Sequence, residues 1–445
     1  MAVSTRSPVS AWWSGIAPFG NTMAMKPHSN SLKMTQNRAI VVFVILAFGY
    51  FLSAMMRGVT GTLAPVLTHE LALSAGQLGL LAGVYFFGFA GMQLPLGRWL
   101  DRFGPRSVLL VLLSLAVLSC LAFAFAQGFW TLLLARLLGG VGVSACLMAP
   151  LTGYRTWFEP QTQLRSNSWM LMAGSFGLLF ATVPVQWALP LIGWRNVFVL
   201  LAILFGIAML GIWQKVPTWH SHAPSSTVKT SFTEDYRFIW HHAYFWRLAP
   251  LSFVNYGAVV AIQTLWAGPW MTRVAGYTAA QAANGLFAIN LTTLIVFWLW
   301  GAVNPWLIRR NLTADQLIIW GLPLSCAALF AMALLGASSG WWMIALFCAL
   351  STVISLAQPA LGLTVPKAQA GRAMTAFNLL LFAGAFFWQW GMGLVIDLLK
   401  VSGWTEPSAF RAVFAAVALL SVAAYAWFAY GTWRTRKNQR SVVST

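Results

Sequence analysis

Between Ala39 and Tyr430 the chain is a succession of apolar runs, each about 20 residues long and separated by short polar segments. The runs are Ala39 to Leu67, Gly76 to Leu96, Ser107 to Ala126, Phe129 to Leu151, Ser168 to Leu189, and Asn196 to Ile212. After a polar gap come Leu248 to Met271, Gly285 to Val303, Leu317 to Leu335, Trp341 to Leu363, Met374 to Leu398, and Phe410 to Tyr430. Backbone amides facing lipid are satisfied only within a helix or in a closed barrel, and barrel strands are shorter and alternate apolar with polar positions. The pattern therefore predicts an all-α polytopic membrane protein with twelve transmembrane helices. The gap at 214–247 divides them six and six. It is expected to be a cytoplasmic linker whose aromatic and basic part, around Phe238, Trp240 and Tyr244, lies along the inner interface. The expected organisation is a disordered cytoplasmic tail (1–37), a first half (38–213), the linker (214–247), a second half (248–431) and a basic cytoplasmic tail (432–445). Met34 is an alternative translation start.

Composition agrees with this pattern. Of 445 residues, 59% are hydrophobic and 8% charged, where a soluble chain carries about 25% charged residues. A soluble enzyme and a disordered chain are both excluded. The net charge of +19 raises nucleic-acid binding as a question, but the basic residues are scattered between the runs with no dense stripe. They report topology instead. Arg57 and Arg136 fall inside runs, and Arg195, Arg273, Lys400 and Arg411 fall in one set of loops. The rest of the 27 Lys and Arg occupy the alternate loops and the two tails, so both termini are expected in the cytoplasm. Cys120, Cys146, Cys326 and Cys348 all lie in apolar runs and never at CxxC spacing. No disulfide framework, metal site or cofactor is expected, and His220 and His222 are read as loop residues.

The loop between the second and third runs has the most specific motif, Gly97-Arg98-Trp99-Leu100-Asp101-Arg102-Phe103-Gly104-Pro105-Arg106. Gly97 and Gly104 would allow close helix approach and a tight turn. Asp101, the one acid among three arginines, can pair with them or cap a neighbouring helix. The spacing resembles the G-x-x-x-D-R-x-G-x-R signature of the major facilitator superfamily. Gly193-Trp194-Arg195 before the sixth run and Arg136, Gly140 and Ser144 in the fourth are similar to further motifs of that family. In the second half the matching loop, Gly301 to Arg310, keeps Gly301, Arg309 and Arg310 but has no acid. The resemblance covers Arg38 to Thr432. It implies two six-helix halves and a transporter rather than an enzyme, with Gly97, Asp101, Arg102, Gly104 and Arg106 as an inner gate. Gln93 to Gly97, Gln263 to Trp270, and Gly371 to Ala373 with Asn378 resemble a poorly characterised bacterial branch often labelled nitrate/nitrite or general permease. That implies a monomer in the bacterial cytoplasmic (inner) membrane, with the lipid bilayer and a small-molecule substrate as partners and no nucleic acid. Gly174-Ser175-Phe176-Gly177 lacks the glycine-dense run of true nitrate porters.

The same resemblance implies that the first, fourth, seventh and tenth spans line a cavity. Tyr50, Ser53, Arg57 and Gly61 recur at helical spacing on the first, and Arg136, Gly140 and Ser144 on the fourth. Arg57 lies about 15 Å from the end of its run, where a charge costs roughly 2.5–3.5 kcal/mol unless it meets water or a partner. None of the eight acids lies deep in a run. Two arginines without a carboxylate suggest that the missing anion is the substrate, because guanidinium suits bidentate recognition of carboxylate or phosphate. The plain alternatives are that Arg136 orients helices through backbone carbonyls and that Arg57 snorkels to the outer face. Asn255, Tyr256, Gln263 and Trp266 in the seventh span, with Ser355 and Gln358 in the tenth, are the uncharged candidates. Interhelical hydrogen bonding explains each of them equally well. The expected function is alternating-access transport of a small organic anion. A transporter-like membrane sensor, or an exporter of a neutral or cationic compound, is the alternative.

Overall fold

The computed structural model describes residues 34–218, 237–366 and 369–443. Most of the expected N-terminal tail, and the middle of the linker with His220 and His222, lie outside the described residues. All regular structure among the described residues is helical.

Ten helices are long and apolar enough to cross a bilayer. One of them, Ala75–Ala124, has 50 residues and as a straight rod would run about 75 Å, over twice the hydrocarbon thickness of about 30 Å. It turns back at Gly104, whose backbone (φ 75°, ψ 164°) lies in a region essentially reserved for glycine. This gives α2 (75–103) and α3 (105–124). The helix Pro160–Phe180 breaks at Ala181 and Thr182 and resumes as 183–192; Gly193, with φ 73° and ψ 160°, then reverses the chain. These pieces form α5 (160–192) and α6 (194–215). With α1 (Gln36–Glu70), α4 (Phe129–Trp157), α7 (Ala243–Arg273), α8 (Ala279–Arg309), α9 (Ala314–Leu335), α10 (Trp341–Thr364), α11 (Ala370–Val401) and α12 (Glu406–Val443), the long helices among the described residues number twelve. The break in α5 leaves the Ala181 carbonyl outside the helical ladder, and Thr62 Oγ1 donates to it at 2.7 Å. Lipid could not supply that partner.

The two halves repeat one packing scheme. In the first, α1 packs on α5, α2 on α4 and α3 on α6; in the second, α7 packs on α11, α8 on α10 and α9 on α12. One capping box recurs at the starts of α2, α8 and α9, in α9 from Thr313 and Gln316. Ser74 and Gln77 form a capping box at the start of α2, and Thr278 and Gln281 exchange the same two bonds at the start of α8.

The halves meet along α1 with α7 and α2 with α11. On the face opposite the basic loops, called outer here, the contacts are backbone to backbone. A Cβ at Gly61 would come within 2.8 Å of the Thr264 carbonyl oxygen, one at Gly79 would overlap the Gln389 carbonyl, and one at Gly393 would overlap that of Ala75. Asp397, near the end of α11, accepts hydrogen bonds from Ser74 Oγ (2.7 Å), Ala75 N (3.1 Å) and Gly76 N (2.7 Å) at the start of α2. The outer mouth is closed.

Gly79→Ala places a methyl group against a carbonyl that only movement of α11 can relieve, at a cost of about 1–3 kcal/mol to this closed arrangement. Spin labels at Ala72 and Ser402, exposed at the outer ends, should then report a longer distance. An unchanged distance distribution would contradict the tight seam.

Candidate functional site

Helix α1 runs unbroken through the bilayer, whereas α4, α7 and α10 are irregular midway. A non-helical turn occupies 144–147 of α4. Two π-helical turns, Leu251–Tyr256 and Ile262–Trp266, widen α7, and a 3₁₀ stretch, Thr352–Leu356, tightens α10. Irregular backbone at membrane depth persists only where protein covers it or a cavity hydrates it, and π turns are frequent at functional sites.

Arg57 of α1 is half-buried. Its guanidinium acts electrostatically on Tyr85 of α2 and on Tyr256 of α7, and Tyr256 also feels Tyr50. Among the described residues it makes no hydrogen bond or ion pair. The result is one cation among three phenols, with Tyr256 coming from the opposite half. Tyr50 is held from behind by Gly174 of α5, where a side chain would collide with its ring. Tyr85 is fully buried and its hydroxyl donates to Ser53 O at 3.3 Å. Sequence reasoning missed Tyr85. The available signal was a lone phenol between Gly83 and Gly88 in an otherwise apolar run.

The second arginine is placed differently. Arg136 is 1% exposed; Nη1 donates to Met56 O at 3.0 Å and Nη2 donates to Thr60 Oγ1. Its guanidinium lies over the Tyr85 ring, 5.0 Å from the centroid. This is the helix-orienting alternative: a carbonyl, a hydroxyl and a π face take the place of a carboxylate. Because Met56 and Thr60 flank Arg57, Arg136 fixes the turn of α1 on which Arg57 sits.

The remaining candidates turn toward their neighbours. Asn255 donates to Ser421 O of α12 at 3.3 Å, and Gln263 to Asn290 Oδ1 of α8 at 3.0 Å. Trp266 is fully buried and donates to Gln389 O of α11 at 3.2 Å. Ser355 donates to Thr352 O within its own helix, and Gln358 donates to Asn378 Oδ1 of α11 at 2.8 Å. Of the nine predicted substrate residues, the structure brings Tyr50, Arg57 and Tyr256 together, with Arg136 behind them.

In the inner loop, Asp101 lies within electrostatic reach of Arg372 in the first turn of α11 and of Arg155 at the end of α4. Arg106 donates to the Trp213 carbonyl of α6, and Arg102 covers the ring of Phe103 at 5.1 Å. Gly104 makes the expected turn. Gly97 does not make the expected close approach, since a Cβ there would meet nothing within 4 Å; the tight glycines lie on the other face of the membrane. The Gly193 turn delivers Trp194 and Arg195 to Glu70 at the end of α1, with Trp194 Nε1 donating to Oε2 at 2.6 Å.

The family model of the Major Facilitator Superfamily matches residues 46–389. A probable sulfoacetate transporter of Cupriavidus necator is 26% identical over 176 residues, covering 38% of this chain and 40% of that protein. A probable L-galactonate transporter of Escherichia coli is 24% identical over 239 residues, covering 54% and 50%. The matched stretches span about a third to a half of the curated relatives. A crystal structure of a nucleoside transporter superposes with a TM-score of 0.70 at 11% identity, covering 89% of this chain and 99% of that one. At that identity the likeness is one of fold.

Arg136→Lys keeps the charge and loses the fork that reaches Met56 O and Thr60 together. Hydrogen bonds from charged groups are worth about 1.5–3 kcal/mol, so the variant should melt at a lower temperature in detergent than the parent. An unchanged melting temperature would show that the clamp carries no stability.

Proposed function

The chain belongs to the major facilitator superfamily, and from that premise we propose that it is a secondary transporter carrying a small organic anion by alternating access, with Arg57 as the cation that receives it. One observation carries this reading: a half-buried guanidinium at membrane depth, facing both halves, with no hydrogen bond or ion pair from any described residue. The six acids among the described residues are committed or distant. Glu70 is bound to Arg195, Asp315 to Arg247, and Glu406 lies against Arg273 and Lys400. Asp397 caps α2, and Asp101 and Glu159 lie at inner helix ends. A carboxylate or sulfonate entering the site would meet two guanidinium N–H groups in bidentate geometry, while Tyr50 and Tyr256 supply hydroxyls and aromatic walls. Charge neutralisation, and not area burial alone, would then make the loaded state cheaper than the empty one. The names of two relatives, for sulfoacetate and L-galactonate, both denote small organic anions and support the class.

Selection between the two faces follows from which contacts exist. Here the outer ends are joined by the Gly79, Gly393 and Asp397 contacts, which supports access to the site from the inner side. The opposite state requires the Asp397 bonds to break and the Asp101 cluster to close. The distribution of Lys and Arg supports an orientation with both termini inside; a monomer in a bacterial cytoplasmic membrane is part of the same proposal.

A panel of carboxylates, sulfonates, phosphates, sugars and cationic compounds should stabilise the purified protein only through the anions, since a ligand at 100 times its Kd adds about 2.7 kcal/mol to the folded state. Arg57→Ala should weaken that binding at least about ten-fold with the ligand-free melting temperature unchanged. Stabilisation by neutral or cationic compounds alone would overturn the anion class, and unchanged anion affinity in Arg57→Ala would remove Arg57 from the site.

A further inference from the structure

A second basic concavity lies at the inner face of the second half, well away from Arg57, where the linker enters α7 and α12 leaves the membrane. It is a cavity of about 850 Å³ lined chiefly by Arg237, His241, His242, Tyr244, Arg247 and Thr435. Among the described residues the one acid beside it, Asp315, is already engaged. Asp315 accepts from Tyr244 Oη at 2.6 Å and is ion-paired with Arg247. Arg247 is further fixed by Thr435 Oγ1 at 3.3 Å and by the rings of Tyr244 and Phe428 at 4.4 and 5.5 Å. Even so, its buried Nε has no acceptor, and neither has the buried Nδ1 of His242 a partner. The Arg237 side chain is exposed. Among the described residues the cavity is therefore lined by more basic side chains than its one acid, Asp315, can balance.

Its surroundings are apolar and face outward. Phe238, Trp246, Trp427, Tyr430 and Trp433 are all more than 40% exposed, and Lys437 lies over the Trp433 ring at 5.4 Å. Exposed indoles and phenols beside cations are the pattern of an interfacial belt.

We propose that this cavity binds the phosphate headgroup of an anionic phospholipid of the inner leaflet, with the acyl chains running along the exposed aromatics of α12. Three features favour a lipid over a free phosphate ion. The volume exceeds what one phosphate fills, exposed aromatic side chains lie on the adjoining segments, and the cavity sits on the face that carries the basic loops. Basic pockets between transmembrane helices on the cytoplasmic side are suited to such headgroups. Occupancy would supply the acceptor that Arg247 Nε lacks and would tie the start of α7 to the end of α12. The proposal is independent of the substrate reading, since no residue is shared with the Arg57 site.

The test is native mass spectrometry of the full chain released from detergent with equal amounts of phosphatidylglycerol and phosphatidylethanolamine. Phosphatidylglycerol should be retained preferentially, and Arg237→Gln/His241→Gln should reduce that preference at least about five-fold, the effect of a single cation near a membrane surface. Both side chains are exposed or only partly packed, and Arg57→Ala should retain the lipid as the parent does. Arg237→Lys with His241→Lys should restore retention, which a purely structural defect would not allow. Equal retention by parent and the Gln variant overturns the site, including the case in which the chain itself fills the cavity. Melting-temperature gains from millimolar inorganic phosphate that match those from phosphatidylglycerol, with displacement of the lipid, overturn the lipid as the occupant.

Discussion

Hydrocarbon offers a backbone neither donor nor acceptor, and that constraint shapes every element of this protein. It forces each span into a helix and sends each break in a helix either to a face of the membrane or into the protein interior. The sharp reversals at Gly104 and Gly193 lie at helix ends, where water serves the freed groups. The break in α5 lies deeper, and there α1 supplies Thr62 to the Ala181 carbonyl. The irregular turns of α4 and α7 fall on helices that supply Arg136 and Tyr256 beside Arg57, and α10 has a third such turn. Loosened backbone is concentrated where packing or a hydrated cavity can satisfy it.

The same constraint acts on side-chain charge, and the two intramembrane arginines answer it in opposite ways. Both would cost a few kcal/mol if bare. Arg136 reaches a carbonyl, a hydroxyl and an aromatic face within one turn of α1, so its charge is dissipated inside the fold. Arg57 is one residue from Met56 and therefore about 100° around the same helix, which directs it away from α4 and toward Tyr256. The first arginine completes the fold, and the second leaves it electrostatically incomplete. One guanidinium thus braces the turn from which the other projects, and the ligand-binding role proposed for Arg57 would benefit from such preorganisation.

Much of this was legible in the sequence. Run length and the distribution of Lys and Arg were enough for the twelve helices, and the glycine spacing of the 97–106 loop for the Gly104 turn. An arginine in an apolar run with no acid nearby was enough to single out Arg57. What the sequence withheld was orientation. Helical spacing placed Asn255, Tyr256, Gln263 and Trp266 on related faces, but each π turn of α7 carries an extra residue and shifts the face that follows. Asn255 and Trp266 consequently pack against α12 and α11, while Tyr256 reaches Arg57. Likewise a glycine in sequence does not say whether a neighbour is present: Gly97 faces open space, and Gly79 touches a carbonyl of the other half.

The antiparallel pair α2 and α11 brings these strands together. Each helix carries a carboxylate near its C-terminal end, and each carboxylate lies beside the N-terminal turn of the other helix. At the outer end Asp397 takes two backbone N–H groups and Ser74 Oγ at the start of α2. At the inner end Asp101 lies within electrostatic reach of Arg372 in the first turn of α11. A carboxylate at a helix N-terminus contributes about 0.3–1 kcal/mol when exposed and up to about 2 when partly buried. Neither end can therefore lock the pair irreversibly, and the outer end, with three hydrogen bonds, is the more fully engaged of the two. Under the proposed alternating access the balance between states is open to a ligand that interacts with them unequally by only a few kcal/mol, and an anion at the proposed Arg57 site, between the two halves, would be positioned to do so.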